Sequence, residues 1–123
     1  MTPDRLAELT DTRLVEEFAV LARQAGSAVL DSEVSKANRA IRGMWGIEDV
    51  LRLRGREARQ GLVSLLDEKD RFVRYYAAKA LLGLVPDRAR AVIEWNAKNG
   101  FDAIAGDANG LLRAFDTGKY KPD

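Results

Sequence analysis

What this chain lacks sets the chemistry open to it. Its 123 residues include no cysteine and no histidine. That excludes a disulfide, a thiol nucleophile and a Cys-ligated metal. It also excludes the Ser-His-Asp arrangement and the common imidazole metal sites. Carboxylates, arginines and aromatics remain. Glu48 and Asp49 are adjacent in a helical stretch, where sequence neighbours point to different faces, so they do not form a two-carboxylate acid/base site. Asp107 stands between Gly106 and Gly110, beside an apolar stripe. A partly buried acid there could carry a raised pKa and act catalytically. A structural ion pair with an arginine is the preferred reading. The Gly106-to-Gly110 spacing reads as close helix packing, and it lacks the Lys-Ser/Thr of a phosphate loop. We therefore expect no catalytic residue, no cofactor and no dedicated metal site.

Charge is uneven along the chain. Residues 1–35 carry three basic and seven acidic groups, net −4, whereas residues 36–59 carry seven basic and three acidic, net +4. Within the basic stretch Arg52, Arg56 and Arg59 have helical spacing across Gly55. They form either a ridge for an acidic or anionic partner, or a solvated face that pairs with the acidic N-terminal helix. The second is the default, because exposed ion pairs contribute little. Trp45 and Tyr76 fall on apolar stripes and are expected in the core. Tyr75 and Trp95 fall off the main stripes, which makes them candidate anchors for a partner surface or packing residues against an adjoining helix. Arg74 borders the apolar stripe of its helix and is expected to be a structural ion-pair residue, with Asp107 or Asp70 as acceptor.

The elements that must position these residues are helices. Leu62, Leu65 and Leu66 recur at i, i+3, i+4. Asp70 can cap a second helix, in which Val73, Tyr76, Ala77, Ala80, Leu81 and Leu84 form the stripe until Val85-Pro86 ends it. Before this pair, Thr2-Pro3 opens a short helix and Thr10 to Thr12 cap one carrying Leu14, Phe18, Leu21, Ala25 and Ala28. Glu33 to Arg54 is a third helix, in which Gly43 and Gly46 imply close approach of a neighbour or, as the alternative, a kink, and Gly55 can serve as a left-handed cap. Arg56 to Leu66 reads as one helix. Asp87 to Lys98 and Ala103 to Asp116 complete the set, and Gly118 stops the last. Strand alternation is nowhere sustained.

Two leucines, a short acidic turn, Val73-Arg74 and an Ala-rich helix ending in Leu resemble a HEAT repeat, with Lys69 and Arg71 where the prolines of its turn stand. Across nearly its full length the chain also resembles a bacterial family of unknown function with HEAT-like helices. The pieces that carry this are Gly46 to Leu51 with Arg54-Gly55, Val73-Arg74 with Ala77 to Ala80, Ala105 to Ala108, and Gly118 to Pro122. The resemblance implies an all-α fold, a short HEAT-like array of antiparallel helix pairs. No reaction comes with it.

The length suits one domain, residues 1–123, with a single core. A net charge of +1 gives no field that draws nucleic acid or a membrane. The N-terminus lacks a signal-peptide pattern, and no apolar run reaches the ~20 residues of a membrane span, so a cytoplasmic protein is expected. The expected function is a non-enzymatic module binding another protein, as an adaptor or a toxin-neutralising partner. A nucleic-acid-binding HEAT-like module and a homo-oligomeric structural protein are the alternatives. A mixed-charge face with exposed aromatics favours a protein partner, and a continuous basic groove favours nucleic acid.

Overall fold

The computed structural model describes residues 3–100 and 102–123, with side chains from Arg5 onward. Among these residues the regular structure is helical, with no strand. The order is α1 (Pro3–Ala7), α2 (Asp11–Leu30), α3 (Val34–Arg54), α4 (Arg56–Gln60), a 3-10 segment (Gly61–Asp67), α5 (Arg71–Leu81), α6 (Pro86–Asn99) and α7 (Ala103–Asp116). Thr2, expected to cap the first helix, lies outside the described residues.

Side-chain caps start three of the helices. The Thr10 hydroxyl accepts from Arg13 N at 3.1 Å. Asp70 Oδ1 accepts from Phe72 N at 2.8 Å and from Val73 N at 3.1 Å. Asp102 Oδ1 accepts from Ala105 N at 3.2 Å. Each cap satisfies amides that have no intrahelical acceptor and contributes about 1 kcal/mol. The end of α2 reverses through Ser32, in the left-handed region at φ 58°. There Glu33 N donates to Ala28 O at 2.8 Å and Ser32 N to Val29 O at 3.2 Å, the two bonds of a Schellman turn.

The stretch expected as one helix, Arg56 to Leu66, instead splits at Gly61. Ser64 Oγ donates to Gly61 O at 3.3 Å, offering that carbonyl a side-chain partner in place of the α-helical amide. With three residues per turn, Leu62 and Leu65 stand one above the other, and both are buried with Leu66. Gly55 has φ 116° and ψ 179°, so it is a glycine-favouring joint but not the αL cap expected.

One continuous core forms around α2. Leu14 and Phe18 of α2 meet Met44, Ile47 and Leu51 of α3, Leu62, Leu65 and Leu66 of the 3-10 segment, and Val73, Ala77 and Leu81 of α5. Ile93 of α6 and Ile104 and Ala108 of α7 extend it. Two glycines let neighbours close in. A Cβ on Gly26 would lie 2.1 Å from Phe72 Cγ, and one on Gly43 would lie 2.9 Å from Leu21 Cδ1. Gly106 and Gly110 are different: a Cβ on either would meet nothing within 4 Å. Their expected role in close helix packing is therefore wrong, because α7 turns that face to solvent.

Polar ties fix the outer helices. Arg54 reaches back from the end of α3 to Asp11 Oδ1 (2.7 Å), Ala7 O (2.9 Å) and Leu9 O (2.6 Å), clamping the turn between α1 and α2. Arg71 at the start of α5 pairs with the capping Asp102 of α7. That guanidinium, the largest cause, holds the Asp102 carboxyl below its ordinary pKa. Trp45, expected in the core, is 60 % exposed. It sits one residue beyond Met44, and the stripe that meets α2 runs through Met44, Ile47 and Leu51.

Candidate functional site

The turn of α3 that exposes Trp45 also carries Glu48, three residues on, over the side of α5. From α5 come Tyr76 and Lys79, and from the segment after α7 comes Tyr120. With Phe18, Met44 and Ala80 these residues line a pocket of about 100 Å³. Tyr120 gets there because Gly118 takes φ 76° and frees the chain from α7, after which Tyr120 N donates to Ala114 O at 3.0 Å. The segment then crosses Gly83, where a Cβ would come within 2.6 Å of the Asp123 main chain. It ends on the basic stretch, with Asp123 Oδ2 3.1 Å from Arg52 Nε and the Asp123 main-chain oxygen accepting from Arg59 at 3.1 Å.

Glu48 has no hydrogen bond and no ion pair among the described residues. Burial is the largest influence on it and pushes its pKa from 4.5 up to about 7. Arg52 pulls the value down, Asp49 raises it, and Lys79 and Arg59 pull it down more weakly. The cations near it are engaged elsewhere. Arg52 is bound to Asp49 and Asp123. The Lys79 ammonium donates to Asp107 Oδ2 at 2.9 Å.

Asp107 joins α7 to α5. Its Oδ2 accepts from the Tyr75 hydroxyl as well as from Lys79. Burial first, and the Asp107 hydrogen bond second, push the Tyr75 phenol well above its ordinary pKa. Burial followed by the Asp107 charge pushes Tyr76 up to about 12. Two expectations are corrected here. Tyr75, a candidate partner anchor, is fully buried, with its hydroxyl donating to Asp107 of α7. Arg74 and Asp107 are not partners. Asp107 is taken by Tyr75 and Lys79, while Arg74 donates to Glu68 O at 2.7 Å and Lys69 O at 2.8 Å. Arg74 is thus tied to carbonyls at the end of the 3-10 segment rather than to a carboxylate.

The same guanidinium lies over the Trp95 ring, 5.2 Å from its centre. Trp95 is 45 % exposed. It forms one wall of an open cleft of about 580 Å³ between the 3-10 segment and α6, lined by Leu66, Asp67, Glu68, Lys69, Arg74, Ala91 and Val92. This cleft mixes both signs of charge around a tryptophan. Of the three ridge arginines, Arg52 and Arg59 hold Asp123, and Arg56 is exposed. Among the described residues, no three acidic, Cys or His groups are arranged to hold a metal.

Sequence reasoning set Glu48 aside as half of a mid-helix pair and passed over Lys79, Tyr120 and Asp123. A signal was present. Glu48, Lys79, Asp107 and Tyr120 each lie in one of the four segments that carry the family resemblance, and the fold brings those segments together.

Comparison with known proteins agrees with that resemblance. The chain belongs to the family described as "Domain of unknown function (DUF2019)", whose model matches residues 12–116. Its fold is similar to that in the crystal structure of the protein RPA1889 from Rhodopseudomonas palustris CGA009. The two are 34% identical with a TM-score of 0.88, over 96% of this chain and 98% of that one. No curated protein matches.

Proposed function

We propose that this chain is a non-enzymatic, cytoplasmic helical module that binds another protein, and that Trp95 and Arg74 form the centre of its binding surface. In this reading the helices form a single-domain, short HEAT-like array of antiparallel pairs, which presents an extended face to a partner. One observation carries it. The open cleft beside α6 has mixed charge, with Asp67, Glu68, Lys69 and Arg74 around a half-exposed Trp95. Tryptophan and arginine dominate the energetics of protein interfaces. Arg74 is already held by two carbonyls and the indole face, so a partner need not order it. The basic ridge, the candidate site for an anionic partner, is partly closed by the chain's own Asp123.

Titration against a generic DNA duplex at near-physiological salt tests the class of partner. A phosphate-tracking protein loses affinity linearly on a log–log salt plot, with a slope set by the phosphates it neutralises. Only weak binding with a shallow slope is expected. Sub-micromolar binding that disappears when Arg52, Arg56 and Arg59 are replaced by alanine would overturn the protein-binding reading.

A further inference from the structure

The pocket above Glu48 has the composition of a cation site. Tyr76, Tyr120 and Trp45 stand around it with Lys79, whose ammonium lies 5.8 Å from the centre of the Tyr76 ring, and Glu48 contributes a carboxylate that no hydrogen bond or ion pair engages among the described residues. A carboxylate withdrawn from water without a partner is costly, and an arriving cation removes that cost. Aromatic faces attract cations through their quadrupoles, most strongly once water is excluded. The charge balance has the same sign. Lys79 is engaged by Asp107 at 2.9 Å, and Arg52 by Asp49 and Asp123, which leaves the ionised Glu48 in excess. Size narrows the occupant further. At about 100 Å³ the pocket is well under the range of drug-sized ligand sites, roughly 300–1,000 Å³, yet holds more than one water. It fits a head group and not a nucleotide or a sugar chain.

We propose that Glu48, walled by Trp45, Tyr76 and Tyr120, binds an organic ammonium group, supplied either by a small free amine or by the end of a lysine side chain. The ammonium sits against the carboxylate, and its carbon substituents lie on the rings. This site is on a different face of α5 from the Trp95 cleft and does not depend on it. Binding couples to protonation, because an ammonium favours the ionised carboxylate. The charged and titratable groups facing Glu48 are Arg52 and Asp49 on its own helix, Arg59 on α4, Tyr76 and Lys79 on α5, and Tyr120 on the C-terminal segment. Among these Glu48 is the group with a pKa of about 7, so it is the source of a proton released near neutrality.

Isothermal titration calorimetry on the intact chain at pH 7, in two buffers of different ionisation heat, tests this with methylammonium, tetramethylammonium and N-acetyl-lysine amide as probes. Saturable binding with release of about half a proton per site is expected, since a group titrating near 7 is about half protonated there. Glu48→Gln should abolish binding. Trp45→Ala, at an exposed position, should weaken it about tenfold, near 1.4 kcal/mol. Lysine amide binding tenfold or more tighter than methylammonium identifies a side chain as the natural occupant, and the reverse identifies a free amine. Saturation by no probe, equal binding by wild type and Glu48→Gln, or binding without proton release would each overturn the proposal.

Discussion

The ordinary pKa of a glutamate is 4.5, whereas burial pushes that of Glu48 up to about 7. The difference has a direct consequence for stability. Between those two values the native chain holds the proton more tightly than the unfolded chain does. Stability therefore falls as pH rises from about 4.5 to about 7, and levels off above. Asp102, held below its ordinary value by Arg71, acts in the opposite sense and in more acid solution. Comparing wild type with Glu48→Gln isolates the Glu48 contribution. The variant should match wild type near pH 5 and exceed it at pH 8 by about 3 kcal/mol at most, because each tenfold change in proton affinity is worth about 1.4 kcal/mol. Urea denaturation at the two pH values measures this, and a stability difference that does not change with pH contradicts it. The residue types were legible from sequence, but their environments were not. Spacing correctly kept Glu48 and Asp49 from sharing a face. It could not say that Tyr120, far along the chain, would cover one of them. Tyr75 was misplaced for a similar reason: it lies off the stripe facing α2, yet it is fully buried, with its hydroxyl on Asp107 of α7.

Local sequence signals placed most helices well, because each carried a cap or a breaker with one physical meaning. Asp70 and Thr10 cap where expected, and Pro86 begins the next helix, but α5 ends at Leu81, short of the expected Leu84. The 3-10 segment was illegible, since Leu62, Leu65 and Leu66 satisfy both the 3.0 and the 3.6 period. Glycines were legible only as exceptions, and the packing partner decides what each does. Gly26 and Gly110 make a contrasting pair. In an exposed helix interior, alanine is better than glycine by roughly 1 kcal/mol. Gly110→Ala should gain about that much, as its new Cβ meets nothing within 4 Å. Gly26→Ala should instead destabilise by about 1–3 kcal/mol, because the methyl would enter the Phe72 ring and force apart α2 and α5. Thermal unfolding of both variants checks the pair. A gain in stability for Gly26→Ala would show that Phe72 is free to move aside.

At the scale of the whole molecule, the proposed function places binding on a surface. The segment after α7 runs from Gly118 past Glu48 to Arg52 of α3 and Arg59 of α4. From the charge asymmetry these arginines were read as a solvated face or one pairing with the acidic N-terminal helix; instead Asp123 of the C-terminal segment meets Arg52 and Arg59. The proposed binding surface is the Trp95 cleft, where both signs of charge surround a half-exposed tryptophan. The sequence marked Trp95 as off-stripe and Arg74 as a stripe-border residue. It could not show that the two stack, because that depends on how α6 lies across the end of the 3-10 segment. The direct test is affinity capture from the native cell with three baits in parallel: wild type, Trp95→Ala, and the chain with Arg52, Arg56 and Arg59 replaced by alanine. Each recovered protein is then purified and titrated against the same three chains. The expected result is one stoichiometric protein whose affinity falls tenfold or more with Trp95→Ala and is unchanged by the arginine replacements. A partner bound equally well by Trp95→Ala, or one recovered only through nucleic acid, would contradict it.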